Sequence, residues 1–323
     1  MKAAVLLAPN QVKIQDFPTP EVKNPGEVIA TVKFVGVCKT DHQLTCEGVK
    51  QETILGHEVV CQLPNEEEYF ALNNEISCGK CTYCEEGLTS HCLELKELGI
   101  NNPGGYAEKM LTPRDRLYPF EFKNPILGTL VEPLTCAVHA AERIMSSVSL
   151  LSVSNPTTFV IGGGISGCFV SYLLSKVYAF SGNISLYDTA KSPITWAENL
   201  GIQRLKEPMP RQAHLVIECS GYESALINAF SLVRNAGAVC IYGVPSVDIS
   251  LPLSPQELFF REIMVFASFA GVTDKTIAIA IQAIKNDEAF FEQLLGWLIP
   301  LEKLPTALTS WSPKSGTRTV VVL

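Results

Sequence analysis

The sequence predicts an α/β protein of two modules, a β-rich module followed by a doubly wound parallel sheet. Three observations predict this fold. Before residue 125, short segments alternate apolar and polar residues as half-buried strands do. From Thr157 onward strands alternate with helical segments, and a glycine-rich turn joins the first of these strands to its helix. A length of 323 residues, at roughly 150 residues per domain, also favours two domains.

The elements follow in chain order. In the first module the pattern predicts strands over residues 3–7, 27–37 and 106–111. In the second it predicts strands over 158–161, 184–187, 214–218, 238–243 and 263–269, with a helix over 165–180. After Gly271 we expect two helical stretches and a closing apolar strand, 319–323, that returns to the first module. The sequence shows no internal repeat.

Composition and charge favour an enzyme that acts on small molecules. Hydrophobic residues make up 47% of the chain, and 33 acidic against 25 basic residues give a net charge of −8. No block of Lys and Arg is present, which argues against nucleic acid or an anionic membrane as a partner. The apolar run after Met1 is too short for a signal-peptide core and no 18-residue apolar run exists, so we expect a cytoplasmic protein.

Four cysteines form the sharpest motif: Cys78, Cys81, Cys84 and Cys92. Gaps of two, two and seven residues let the four sulfurs converge on one tetrahedral zinc ion. Two alternatives are a disulfide pair and an iron–sulfur cluster, whose bacterial spacing of two, two and three residues begins in the same way. The long last gap favours a closed structural zinc site. Of the remaining cysteines, Cys61, Cys168, Cys219 and Cys240 lie in apolar segments and are expected to be buried thiols.

A glycine fingerprint follows the first strand of the second module. Gly162, Gly164 and Gly167 allow, in turn, a tight turn, close approach of the backbone to a pyrophosphate, and close packing of helix on strand. Asp188 ends the next predicted strand, where its carboxylate can accept hydrogen bonds from an adenosine ribose and repel a 2′-phosphate. This pattern favours NAD over NADP. The alternative for Asp188 is an ordinary helix-capping residue.

A second metal site is suggested by Cys38, His57, Glu58 and Glu132. None of these residues is specific alone, because a single cysteine or histidine is usually a core or hydrogen-bonded residue. Three protein ligands and an open position are nevertheless what a catalytic zinc requires.

Several short motifs follow one another along nearly the whole chain. They are Gly36-Val-Cys-Lys-Thr-Asp, Gly56-His-Glu, the four cysteines, Gly104-Gly-Tyr-Ala-Glu, Val131-Glu-Pro-Leu, the glycine fingerprint, Glu218-Cys-Ser-Gly and a closing Arg-Thr-Val-Val. In this order they resemble the zinc-dependent medium-chain dehydrogenase/reductase family, especially its polyol, sugar and threonine dehydrogenase branch. The resemblance implies a GroES-like catalytic domain over residues 1–132 and 271–323. It implies a Rossmann domain that binds NAD over residues 133–270.

The resemblance assigns roles to the second group of ligands. In that family the residues matching Cys38 and His57 bind the catalytic zinc, and in the polyol branch those matching Glu58 and Glu132 join or exchange at the ion. Which of the two glutamates is the resting ligand stays open. A cysteine in place of Glu132 would have suggested a simple alcohol dehydrogenase, whereas glutamate implies a polyhydroxylated or otherwise polar substrate.

The resemblance also implies a mechanism. Zinc acts as a Lewis acid on the substrate hydroxyl, and the alkoxide expels a hydride to the nicotinamide. Thr40 is placed to receive the alcohol proton, and Asp41 would fix the tautomer of His57 through a hydrogen bond. Lys39 and Arg318 match positions that reach the cofactor pyrophosphate; the alternative for each is a solvated surface cation.

Two departures from the family pattern bear on the site. The relay histidine often found five residues after the first zinc cysteine is Gln43 here, while His42 stands one place earlier, as in some sugar dehydrogenases. The segment between His57 and Cys78 is short and lacks the usual Gly-Asp-x-Val turn. The outer proton path and the rim of the site therefore stay open.

The sequence thus predicts a dehydrogenase that depends on zinc and NAD. We expect it to oxidise a secondary alcohol of a polyol, sugar, amino sugar or hydroxy amino acid, with one catalytic and one structural zinc, as a dimer or tetramer. One alternative is a catalytically silent NAD-binding relative; another is a metal-free quinone reductase, which would lack both sets of ligands. The substrate is not predicted, because specificity depends on loop geometry.

Overall fold

A computed structural model describes residues 1–49, 51–151, 153–189, 194–245, 249–310 and 317–323. The chain divides into two compact units. The first comprises Met1–Thr135 with the described residues from Gly271 onward, and the second comprises the described residues of Cys136–Ala270. Within the described ranges, no helix is long and apolar enough to span a bilayer.

Eighteen strands are present in the described part of the chain. They are β1 (Lys2–Ala8), β2 (Gln11–Asp16), β3 (Glu27–Gly36), β4 (Thr53–Ile54), β5 (Glu58–Gln62), β6 (Tyr69–Leu72), β7 (Glu75–Ile76), β8 (Lys96–Glu97), β9 (Lys109–Pro113), β10 (Leu117–Phe120), β11 (Thr157–Ile161), β12 (Asn183–Tyr187), β13 (Gln203–Leu205), β14 (Ala213–Glu218), β15 (Val233–Ile241), β16 (Met264–Ala267), β17 (Leu295–Pro300) and β18 (Arg318–Val322).

Ten α-helices are found among the same residues. They are α1 (Lys39–Glu47), α2 (Thr82–Glu85), α3 (Val131–Val148), α4 (Ile165–Tyr172), α5 (Thr195–Asn199), α6 (Glu223–Leu232), α7 (Pro255–Arg261), α8 (Asp274–Asn286), α9 (Glu288–Glu292) and α10 (Leu304–Thr309).

The first unit is built on a seven-stranded sheet with the order β10-β6-β5-β3-β18-β17, in which β9 also pairs with β3. The long strand β3 organises the sheet, because it pairs antiparallel with β9, β5 and β18. A smaller sheet, β2-β1-β4, packs its buried residues into the same core as β3. The closing strand β18 lies beside β3, so the end of the chain returns to the first module, as the sequence predicts.

The second unit contains a six-stranded sheet with the order β13-β12-β11-β14-β15-β16. Every neighbouring pair in it is parallel. The order reverses at β11, because β12 lies on one side of it and β14 on the other. Ligands of doubly wound sheets bind at such a reversal, outside the carboxyl ends of the strands. The predicted combination of a β-rich unit and a parallel α/β unit is confirmed.

Several predicted boundaries differ from the structure; the strand predicted at 238–243, for example, runs over Val233–Ile241, and the one predicted at 263–269 runs over Met264–Ala267. The strand expected at 106–111 begins only at Lys109. The backbone of residues 104–106 forms hydrogen bonds with residues 54–56 and not with β3. The Gly104 amide donates to the Ile54 carbonyl at 2.8 Å, and the Tyr106 amide donates to the Leu55 carbonyl at 3.0 Å. The predicted helix 165–180 is α-helical only to Tyr172 and continues as a π-helical turn over Leu173–Val177.

The edge strand β17 was not predicted. Among the described residues it pairs only with β18, and several of its side chains are exposed. Its sequence does not show the alternation of apolar and polar residues that predicts a strand.

Candidate functional site

The register of β3 against β5 brings three of the predicted catalytic ligands to the same end of the two strands. Gly36, the last residue of β3, pairs with Glu58, the first residue of β5. Cys38 lies two residues beyond Gly36, and His57 immediately precedes Glu58, so all three candidate ligands meet at one end of this strand pair. A side chain at position 36 would force Glu58 to move, because a Cβ there would lie 2.1 Å from the Glu58 Oε2 atom.

Cys38, His57 and Glu58 converge. One ligand atom from each lies within 4.8 Å of the others, and both His57 and Glu58 are buried. Glu58 Oε2 has no hydrogen-bond partner among the described residues, although a buried carboxylate oxygen without a partner is costly. A sulfur, a nitrogen and an oxygen donor with an orphaned buried oxygen fit a zinc ion with an open coordination position.

The ionisable side chains of this group shift one another's pKa values. Burial alone would raise the pKa of the Cys38 thiol, but the adjacent His57 ring and the Arg318 guanidinium outweigh it and lower the pKa to about 7. Burial raises the pKa of Glu58 to about 8, although Arg318 opposes the shift. Burial disfavours the charged His57 ring, but Asp41 and Cys38 together raise its pKa well above the ordinary value. A cation among these groups would stabilise the thiolate and the carboxylate.

Asp41 lies directly behind His57. It is buried in the first turn of α1, and its Oδ1 atom is 3.4 Å from His57 Nδ1, an ion-pair distance that is long for a hydrogen bond. Its other oxygen, Oδ2, accepts hydrogen bonds from the Cys38 amide at 2.9 Å and from the Tyr106 hydroxyl at 2.8 Å. Tyr106 belongs to the Gly104-Gly-Tyr-Ala-Glu motif, but nothing in that motif shows which side chain its hydroxyl meets.

The residues around Asp41 on α1 occupy different surroundings. Lys39 and Thr40, at the start of the helix, are partly buried. His42 Nδ1 lies 2.6 Å from the carbonyl oxygen of Leu308. Because a carbonyl only accepts, this contact requires the proton on Nδ1 and makes Nε2 the acceptor of a neutral ring.

Arg318 and Glu132 lie near the same group. Arg318 is only 8% exposed; its Nη2 atom is 2.8 Å from Glu58 Oε1, and its Nη1 atom donates to the Val37 carbonyl at 3.0 Å. It is therefore no solvated surface cation. Glu132 is the second residue of α3 and is not one of the three converging residues. Burial opposes the charged form of Arg318, but the nearby Glu58, Cys38 and Glu132 raise its pKa.

The four cysteines also converge. Their sulfur atoms all lie within 4.8 Å of one another, with Cys81 and Cys84 at 3.5 Å and Cys78 and Cys84 at 4.0 Å. Sulfurs bound at about 2.3 Å to one tetrahedral ion would be about 3.8 Å apart, so these separations fit a single zinc. None of the four is in a disulfide in this structure, and the separations favour the zinc site over the disulfide alternative. The Cys78 amide donates to Cys92 Sγ at 3.2 Å and, as the largest cause, lowers the Cys92 pKa.

The glycine fingerprint lies at the carboxyl end of β11. Gly162 has a φ of +102°, which only glycine adopts readily, and Gly164 is the N-cap of α4. A Cβ at Gly167 would lie 2.0 Å from the Gly162 carbonyl oxygen. The helix therefore packs against the turn at a distance that requires glycine.

Asp188 closes this turn from the end of β12. Its Oδ2 atom accepts a hydrogen bond from the Gly163 amide at 2.6 Å, and the Trp196 indole donates to the Gly163 carbonyl at 3.0 Å. The next helix among the described residues, α5, has Ile194 as its N-cap.

Two family models match the chain in the order of its two sequence modules. The alcohol dehydrogenase GroES-like domain matches residues 24–122, and the zinc-binding dehydrogenase model matches residues 194–286. Together they span more than half of the 323 residues.

Curated relatives are similar over most of their length. D-arabinitol dehydrogenase 1 of Uromyces fabae is 27% identical over 272 residues, which are 76% of each chain. D-altritol 5-dehydrogenase of Agrobacterium fabrum is 25% identical over 299 residues, which are 87% of each chain.

Solved structures share the fold. L-idonate 5-dehydrogenase of Escherichia coli superposes with a TM-score of 0.84 at 20% identity, covering 100% of this chain and 98% of its own. A zinc-binding dehydrogenase from Sinorhizobium meliloti, bound to NADP, gives 0.83 at 22% identity, covering 100% and 99%. The matches confirm the resemblance drawn from the motifs. The chain belongs to the zinc-binding dehydrogenases of the medium-chain dehydrogenase/reductase family.

Proposed function

We propose that this protein oxidises a secondary alcohol of a polyol or sugar with NAD, using a catalytic zinc at Cys38, His57 and Glu58 and a structural zinc at the four cysteines. The observation that carries the proposal is the convergence of three different donor atoms within 4.8 Å around a buried carboxylate oxygen that has no hydrogen-bond partner among the described residues. That donor set leaves one coordination position for an alcohol oxygen.

A polar substrate is supported in two ways. The names of similar proteins identify D-arabinitol, D-altritol and L-idonate as substrates, and all three carry several hydroxyls. Glu132 also lies close enough to Arg318 for its charge to affect the guanidinium. Carboxylates accept hydrogen bonds from hydroxyls, so a glutamate there suits a polyhydroxylated substrate, whether or not it also approaches the ion.

The roles of the side chains follow from their positions. Zinc would supply Lewis acidity that lowers the pKa of the substrate alcohol. Thr40, two residues after Cys38, would accept the alcohol proton through its hydroxyl. Asp41 would hold the His57 ring with one nitrogen turned to the ion. His42, with Nδ1 held by the Leu308 carbonyl, would pass the proton on through Nε2.

The proposed cofactor is NAD. Gly162, Gly164 and Gly167 would hold the pyrophosphate against the N-terminus of α4, and Asp188 would meet the adenosine ribose. The hydrogen bond from the Gly163 amide uses Asp188 Oδ2 and fixes the carboxylate beside the turn. Lys39 and Arg318 remain proposed pyrophosphate ligands; Arg318 would have to share its contact with Glu58.

Self-association and a cytoplasmic location are also proposed. Phe259 and Phe260 on α7 are 76% and 72% exposed, and β16 is the edge of the six-stranded sheet, so a second copy would cover apolar surface. Sedimentation equilibrium of the zinc-replete protein tests self-association; a monomer at micromolar concentration would contradict it.

The cytoplasmic location is supported by the eleven free cysteines, which suit a reducing compartment.

A panel of polyols, sugars and threonine, assayed for NADH formation with zinc measured on the same sample, tests the function. Wild type should hold two zinc ions per chain and oxidise at least one polyol. Cys38→Ala should lose turnover and one zinc while binding NAD nearly unchanged, since the glycine turn belongs to the other unit. Thr40→Ala should lower kcat by about 10²- to 10⁴-fold. A wild type with one zinc, NAD binding and no turnover on the whole panel would favour the silent relative.

A further inference from the structure

We propose that Tyr106 is a positioning residue of the Cys38–His57–Glu58 site: its hydroxyl anchors the Asp41 carboxylate, which in turn orients His57. This inference rests on the proposed function, because it concerns the affinity of that site for zinc. Tyr106 is 1% exposed, and no part of its proposed role requires contact with substrate.

The hydroxyl of Tyr106 has one proton and two acceptors nearby. It lies 2.8 Å from Asp41 Oδ2 and 3.1 Å from the carbonyl oxygen of Gly36. The hydrogen bond to the carboxylate is the shorter of the two, and the charge on its acceptor makes it the stronger. Burial and the neighbouring Asp41 both raise the pKa of the phenol well above its usual value, so Tyr106 keeps its proton and acts as a donor at any working pH.

The Asp41 carboxylate is thereby held by two donors on one oxygen. The Cys38 amide and the Tyr106 hydroxyl both bond to Oδ2. With Oδ2 fixed, Oδ1 faces His57 Nδ1 at 3.4 Å. At this separation the two atoms form an ion pair and no hydrogen bond. A carboxylate that faces Nδ1 favours the ring orientation that presents Nε2 to a metal, and partners of this kind affect metal affinity by about 10- to 100-fold.

The backbone and ring of Tyr106 are equally constrained. Its amide donates to the Leu55 carbonyl at 3.0 Å, and its carbonyl accepts from the Ala4 amide at 2.8 Å. Its ring packs on Gly56, where a Cβ would lie 2.9 Å from the Tyr106 Cγ atom. Because Gly56 adjoins His57, one tyrosine touches both the residue before the histidine and the carboxylate behind it.

Tyr106→Phe separates these two contacts, since it keeps the ring on Gly56 and removes only the hydroxyl. In the full-length, zinc-replete protein, competition with a chromophoric chelator should show zinc affinity at the Cys38 site lowered by about 10- to 100-fold. The four-cysteine site shares no residue with this network and serves as the internal reference, so its affinity should not change. Tyr118→Phe is the matched control, because the Tyr118 hydroxyl bonds to Asp274 in the same unit.

Cobalt substitution adds a signature that loss of packing alone would not produce. The visible bands of cobalt at the Cys38 site should shift in Tyr106→Phe, whereas those of the four-cysteine site should not. Asp41→Asn should weaken the same site, and adding Tyr106→Phe to it should weaken the site no further, since both act through one carboxylate. An unchanged zinc affinity and spectrum in Tyr106→Phe would overturn the proposal.

The number of zinc ions bound by the wild type distinguishes failure of the proposed function from failure of the role of Tyr106. If wild type binds zinc only at the four cysteines, the proposed function fails and this inference fails with it. If wild type binds two ions and Tyr106→Phe binds them equally well, only the role of Tyr106 fails. Should Tyr106→Phe not fold, 3-fluorotyrosine at position 106 is the second test. Its fluorine resonance should shift as the Cys38 site fills with zinc, and a constant resonance would overturn the proposal.

Discussion

Arg318 and Glu58 form a buried ion pair, with Arg318 Nη2 at 2.8 Å from Glu58 Oε1. Glu58 is one of the three proposed zinc ligands, so the guanidinium and a bound cation would compensate the same carboxylate. Removing one partner of a buried pair leaves a charge without compensation, which costs about 3–5 kcal/mol. The pair therefore predicts that stability and zinc binding are coupled.

Arg318→Met should destabilise the zinc-free protein most above pH 8, where Glu58 ionises in the wild type, by no more than about 3–5 kcal/mol, and by clearly less when zinc occupies the site and compensates Glu58. Denaturant unfolding with and without zinc measures both values. Arg116→Met is the control: its pair with Asp115 is surface exposed and should contribute no more than about 1 kcal/mol. Equal destabilisation of the zinc-free and zinc-loaded forms would argue against a cation at Glu58.

Cys81→Ser should remove one zinc per chain and lower the melting temperature, because binding of zinc by the four cysteines contributes directly to folding. The protein that remains folded should keep most of its kcat/KM, since none of the four residues belongs to the Cys38 site. Cys46→Ser, which changes an exposed thiol outside both groups, should retain two zinc ions and the wild-type melting temperature. A wild-type preparation without zinc at the four cysteines would refute the structural assignment.

The sequence predicted sites whose residues lie close together along the chain better than sites formed by residues far apart in sequence. The four cysteines and the glycine turn are set by spacing over a few residues, and the structure brings each set together. Cys61, Cys168, Cys219 and Cys240 were predicted to be buried, and this is confirmed.

The Cys38 site could not be derived in this way. Its assembly depends on the register that opposes Gly36 and Glu58, 22 positions apart in sequence. The residue types only suggested a second metal site, and the family resemblance was needed to assign roles to its ligands. Tyr106 meets Asp41 across 65 positions, and no pattern along the chain predicts that contact.

Glu75 predicts a pH dependence of stability. It is buried, it accepts a hydrogen bond from the Ser90 hydroxyl at 2.6 Å, and its pKa is raised to about 7, chiefly by burial. Because the pKa in the folded state exceeds the ordinary value of 4.5, the folded state binds the proton more tightly. The stabilisation is therefore complete below pH 4.5 and is lost as the pH rises towards 7, by about 3 kcal/mol at most.

Glu75→Gln should remove that part of the pH dependence, because glutamine keeps an acceptor for Ser90 and does not ionise. Urea unfolding at pH 5.5, 6.5 and 8 gives the comparison: the wild type should lose stability relative to Glu75→Gln as the pH rises. Glu66→Gln, at an exposed position, should follow the wild type. Parallel curves for the wild type and Glu75→Gln would show that Glu75 ionises at its ordinary pKa.

Asp188→Ala tests the cofactor assignment. The substitution removes the acceptor for the Gly163 amide and the proposed ribose contact, and hydrogen bonds to a charged group contribute about 1.5–3 kcal/mol. NAD affinity should therefore fall by about 10- to 100-fold, while affinity for NADP falls less or rises, because the charge that repels a 2′-phosphate is gone. Asp188→Asn keeps an acceptor without the charge and should recover part of the NAD affinity. Isothermal titration with both cofactors measures the ratio, and a wild type that prefers NADP would show that Asp188 does not select the cofactor.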